Sequence, residues 1–125
     1  MGRKKQMLLE EWQNRLGLQD WRIKLRGKCK PEDMAIENVA GCTEWNETLK
    51  SARIEIIDPA YYGKRIVPFD WEITLVHELL HLKTSFVSDG VGKLQERITH
   101  QMIDDLARAF IDAKRSGKTG IAANR

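Results

Sequence analysis

The chain has 125 residues, 42% of them apolar and 31% charged, which gives room for one compact domain around one core. Its 21 basic and 18 acidic residues nearly balance at a net charge of +3, so nucleic-acid binding is not indicated. No apolar run is long enough to span a bilayer.

The basic start does not read as a secretory signal, because Glu10-Glu11 cuts short the apolar stretch Met7-Leu8-Leu9. Gln6 stands where a myristoylation signal wants Ser or Thr. Cys29 and Cys42 form no C-x-x-C pair and read as reduced thiols of a cytoplasmic protein.

From Gln6 to Leu16 the apolar residues Leu8, Leu9, Trp12 and Leu16 recur at helical spacing, with Gly17 as a natural stop. Trp21 to Arg26 then alternates apolar and basic, the pattern of a half-buried strand, and Gly27 to Asp33 reads as a loop. Val39 to Trp45 and Ala52 to Ile57 predict two further strands joined by a polar turn at Asn46-Glu47 and closed by Asp58-Pro59. Asp70 can cap a helix running from Trp71 to Phe86, with Glu72 well placed for its dipole. Ser88-Asp89-Gly90 breaks it, and a long helix follows from Gly92 to Lys114. This order predicts an α+β domain over residues 1–115. It has a small three-stranded sheet, mainly antiparallel or mixed, with helices mostly on one face and a flexible tail at 116–125.

The chemistry sits in Leu75-Val76-His77-Glu78-Leu79-Leu80-His81-Leu82. Two imidazoles four residues apart lie about 40° apart around a helix, one turn above the other, so both reach one ion from the same side. Glu78 is turned about 100° from His77; it misses the ion but reaches a water beside it. This is the H-E-x-x-H arrangement of zinc peptidases. A helix so apolar all round is buried, and burying three polar side chains in it is unfavourable unless something such as a metal compensates them.

A third ligand must come from elsewhere. On the last helix Ile103, Ala107 and Phe110 fall within about 40° of the direction of Glu96, with Met102 and Leu106 widening the stripe. Glu96 is thereby predicted to face the core and to serve as the third ligand. His100, one turn further along, is the competitor, either as a ligand or as a hydrogen-bond donor to one. Asp89 is a third option, although a turn residue before Gly90 has a simpler explanation.

The H-E-L-L-H motif followed by Glu96 on a second helix resembles the gluzincin branch of the zincins. The resemblance runs from Ala52 to Ala113 and is closest to minimal members of prophage type. It implies one zinc ion per chain, a peptide or protein substrate held extended along an edge strand between Val39 and Ile57, and Glu78 as general base. Tyr61, Tyr62 and His100 are the candidates for oxyanion stabilisation. Metzincins are excluded because Thr84 and Val87 occupy the positions of their Gly and third His. Gly117-Lys118-Thr119 is not a phosphate loop, since Asp112 stands where its first Gly is required. The competing reading is a zinc-binding or interaction domain without turnover, its fourth metal position filled by His100, Asp89, Cys29 or Cys42.

Overall fold

A computed structural model describes residues 2–36, 39–85 and 92–117. It comprises α1 (Arg3–Leu16), β1 (Arg22–Cys29), β2 (Gly41–Asn46), β3 (Ser51–Ile57), α2 (Trp71–Lys83) and α3 (Lys93–Gly117), with short 3-10 turns at Pro31–Asp33 and Pro59–Tyr61. The fold is α+β with a three-stranded mixed sheet in the order β1-β3-β2.

Helix α1 buries Leu9 and Trp12 and ends where expected. Gly17 takes φ 70, a left-handed conformation that glycine adopts without steric cost. The Leu18 N–H then reaches the Gln13 carbonyl at 2.8 Å, satisfying one of the carbonyls left open at a helix end. The helix starts three residues before the apolar pattern does, because Arg3 to Gln6 adds a turn that buries no apolar residue.

Strand β1 runs past Arg26 to Cys29, further than its alternation predicts, through an irregularity in register between those two residues. β2 and β3 form an antiparallel hairpin in which Thr43 faces Ile54 and Trp45 faces Ala52. β1 pairs on the other side of β3 in parallel, with Ile23 opposite Ala52 and Leu25 opposite Ile54. Strands joined by a short turn pair antiparallel, whereas β1 needs the long connection through β2 to run parallel to β3. The apolar side chains of this face form the core with Leu9 and Trp12 of α1, Leu75, Val76 and Leu79 of α2, and Ile103, Ala107 and Ile111 of α3. The opposite face carries Lys24, Arg53 and Glu44, all exposed.

Asp70 caps α2 as predicted, its carboxylate accepting from the Ile73 N–H at 3.1 Å. Helix α2 ends at Lys83 with Thr84 as its C-cap, short of the predicted end at Phe86, which lies outside the described residues together with the predicted break at Ser88-Asp89-Gly90. Helix α3 extends to Gly117, so Ser116 and Gly117 belong to it rather than to a tail, and residues 118–125 also lie outside the described residues.

Helix α3 turns Thr99, Ile103, Ala107, Ile111 and Lys114 inward. This corrects the predicted stripe. Met102, Leu106 and Phe110 are among its exposed apolar residues, and every residue from Lys93 to Ile98, Glu96 included, is exposed. Glu96 therefore does not face the core: it stands in the exposed first turns of the helix, ahead of Thr99, the first residue that the helix buries.

At its other end α3 is anchored by charge. Lys114, buried, donates to Glu11 at 3.1 Å and to Glu72, whose carboxylate also accepts from Trp12 Nε1 at 2.7 Å. One cation therefore joins α1, α2 and α3. Replacing it by Lys114→Met takes from Glu72 its nearer cation and leaves it Arg115 Nη2 at 3.6 Å, which is expected to cost up to about 3 kcal/mol in urea unfolding. Arg115→Met, whose side chain is half-exposed beside Asp70, is expected to cost less than about 1 kcal/mol.

Candidate metal centre

Helix α2 brings His77 and His81 to one side, as their spacing requires, and α3 supplies His100 opposite them. The three rings form a near-equilateral triangle, with centroids 5.2 Å apart for His77 and His81, 4.8 Å for His77 and His100, and 5.2 Å for His81 and His100. One potential ligand atom from each lies within 4.8 Å of the other two, and this is the only such group among the described residues. A tetrahedral ion with nitrogens at 2.0–2.1 Å holds them about 3.3 Å apart. Small ring rotations close that gap, so the donor set fits a metal ion.

Burial keeps the two imidazoles of α2 ready to donate lone pairs. It lowers the pKa of His77, with the neighbouring His100 adding to the effect and Asp104 opposing it. For His81 burial, reinforced by His77 and His100, brings the value down to about 4. Both rings are therefore neutral at neutral pH, the form that binds metal. Asp104, one turn after His100, places a carboxylate oxygen 3.6 Å from His77 Nδ1 and accepts from Arg108 Nε at 3.2 Å with its other oxygen. A carboxylate on that side of the ring favours a proton at Nδ1 and leaves Nε2 with a free lone pair.

Glu78 is buried against β2. Its Oε1 accepts from Thr43 Oγ1 at 2.6 Å, and its Oε2 lies against the backbone of Gly41. A Cβ at Gly41 would stand 3.0 Å from Glu78 Oε2 and 2.9 Å from Thr74 Cγ2, so the absence of a side chain there makes room for the carboxylate. Burial raises the Glu78 pKa to about 7, partly offset by the Thr43 hydrogen bond. Both histidines of α2, His100 and Glu78 line one open cleft of about 490 Å³ with Thr43 and Trp45 of β2, and its remaining walls, among them Val39, Phe69 and Ile73, are largely apolar. β2 is an edge strand of the sheet.

The other predicted residues fall elsewhere. Glu96 is exposed and stands outside the histidine group, and His100 occupies the third corner instead. Tyr62 lines the cleft, but its hydroxyl donates to the Val67 carbonyl at 2.8 Å and its ring packs on Phe69. Tyr61 is half-exposed and does not line the cleft. Cys29 and Cys42 are buried in a second apolar cluster with Met34 and Ile57, and burial raises both thiol pKa values. Thr43, Gly41 and Asp104 carry no motif signal. Only the i, i+4 spacing of His100 and Asp104 hints at the last.

Among the described residues no helix is long and apolar enough to cross a membrane. Comparisons with protein-family models, with curated proteins and with solved structures found no match for this chain.

The raised pKa of Glu78 has a measurable consequence in metal-free protein. Between about 4.5 and about 7 the folded chain keeps a proton that the unfolded chain has released, so this carboxyl costs stability as pH rises through that window. Glu78→Gln lacks that cost. In the presence of a chelator its stability relative to the parent chain is expected to increase by about 3 kcal/mol between the acid and alkaline sides of the window. The histidine titrations cancel in that difference, and urea unfolding at the two pH values measures it.

Proposed function

We propose that this protein is a zinc-dependent peptidase in which His77, His81 and His100 hold the ion and Glu78 is the general base. The observation that carries the reading is the convergence of three imidazoles from two helices, His77 and His81 partly buried and His100 exposed, beside a buried carboxylate in an open cleft. A purely structural site needs neither the open cleft nor a carboxylate with a pKa raised to about 7. The resemblance of the H-E-x-x-H motif to zincins supports the same reading, but the Glu that marks the gluzincin branch is not at the site, where His100 stands instead.

A bound zinc ion with three protein ligands polarises a carbonyl and makes water a nucleophile near neutral pH. The chain's own residues do the rest. Glu78, held by Thr43 and given space by Gly41, takes the proton of the attacking water and delivers it to the leaving amine. Asp104 orients His77, and Arg108 holds Asp104. The free edge of β2 offers backbone groups to an extended peptide, and the apolar cleft walls receive its side chains.

Metal analysis and peptide cleavage on the same preparations test this. The parent chain and Glu78→Gln are expected to hold about one zinc ion each, with cleavage of a diverse peptide library reduced at least about a hundredfold in the variant. His100→Ala is expected to lose most of its zinc, whereas Glu96→Ala keeps it. Zinc retained without cleavage by the parent chain would instead support a binding domain. Zinc lost on Glu96→Ala but kept on His100→Ala would overturn the ligand set.

A further inference from the structure

Among the described residues that line the cleft, Arg108 is the only Lys or Arg. His100, Asp104 and Arg108 follow one another at intervals of four on α3 and all line it, which sets Arg108 about 12 Å along the helix axis from His100. Its Nε donates to Asp104 at 3.2 Å, whereas its two Nη atoms make no hydrogen bond or ion pair among the described residues. Steadying Asp104 takes one donor. The remaining pair forms a planar fork that matches the two oxygens of a carboxylate.

No carboxylate of the cleft wall serves that fork, because each has its own partner. Asp70 accepts from Arg115, Glu78 from Thr43, and Asp104 from Arg108 Nε. The Arg108 side chain is 42% exposed and so is open to a ligand. Phe69 and Ile73 in the same cleft are apolar, and such walls weaken the competition of water for a charge pair.

The direction of α3 suggests which carboxylate arrives there. The helix runs opposite to α2: His100 stands by His77 and His81, while Lys114 and Arg115 bond Glu72 and Asp70 at the start of α2. Val67 to Asp70, the segment that leads into α2, lines this end of the cleft.

Building on the peptidase reading above, we propose that Arg108 receives the terminal carboxylate of a peptide, so that the substrates of this centre are chains cleaved close to their C-terminus. The scissile carbonyl lies at the histidine corner, the residues after it pass Asp104, and the free carboxylate closes on the two Nη atoms. The tie between Arg115 and Asp70 stands two turns further along α3, which favours a chain that ends at Arg108 over one that runs on. One water splits the C–N bond; its hydroxyl passes to the acyl carbon and its proton to the amine of the released C-terminal fragment.

Three N-acylated peptides of one sequence test this on the zinc-loaded chain: one with a free C-terminal carboxylate, one amidated, and one amidated with Glu as its last residue. The free acid is expected to be cleaved with kcat/KM about tenfold above both amides, the difference lying in KM. Arg108→Met, compared at equal zinc content, is expected to bring the ratio of acid to amide to about one, and Arg108→Lys to keep part of it. A parent chain that cleaves acid and amide alike would overturn the proposal while leaving the peptidase reading in place. So would Arg108→Met that slows both equally, as loss of support for Asp104 alone predicts, or a Glu amide cleaved as well as the free acid. If the parent chain cleaves no peptide, the peptidase reading fails, and calorimetric titration of the same acid and amide into zinc-loaded Glu78→Gln decides the role of Arg108. Binding of the acid about tenfold tighter, lost when Arg108→Met is added, supports the carboxylate site. Equal binding, or a preference for the acid that survives Arg108→Met as direct binding to the metal would give, contradicts it.

Discussion

Helix α2 carries two imidazoles and a carboxylate among Leu75, Val76, Leu79, Leu80 and Leu82, all buried, and the rest of the fold is arranged around the cost of that placement. Polar groups in such surroundings need partners, and each has one. Glu78 is met by Thr43, His77 by Asp104, and the three rings by one another at distances that suit a shared cation. The sheet holds β2 against one flank of α2 while α3 closes the other. Lys114 fixes the far end of α3 to Glu72 in the first turn of α2, so the helix that supplies His100 is tied to the helix it must face.

Much of this arrangement is written in local patterns. The H-E-x-x-H spacing places His77 and His81 together by helix geometry alone. Asp70 marks the start of α2, Gly17 marks the end of α1, and the alternation from Trp21 fixes which face of β1 is buried. These signals depend on the few residues that form them, so they survive whatever the rest of the chain does.

The third corner is not local, and there the wheel misleads. Glu96 lies within about 20° of Ile103 in direction, but direction matters only where a neighbouring element covers the helix. His100 lies about 60° from Ile103, on the flank of the packed stripe rather than its centre, and a site between two helices opens at that flank. The same difference explains Met102, Leu106 and Phe110, whose apolar character suggests the core although they face outward. Amphipathic periodicity identifies an apolar face; which apolar face meets which neighbour depends on the crossing of α2 and α3. The parallel pairing of β1 with β3 and the role of Gly41 as space for Glu78 are likewise products of tertiary contact.

The central claim is that one ion is held by imidazoles from both helices. X-ray absorption at the zinc edge of the loaded full-length chain addresses it most directly. The account predicts a first shell of nitrogen and oxygen at about 2.0–2.1 Å with multiple-scattering features of three imidazoles per zinc. A shell with two imidazoles or fewer, or with sulfur at about 2.3 Å, would contradict it.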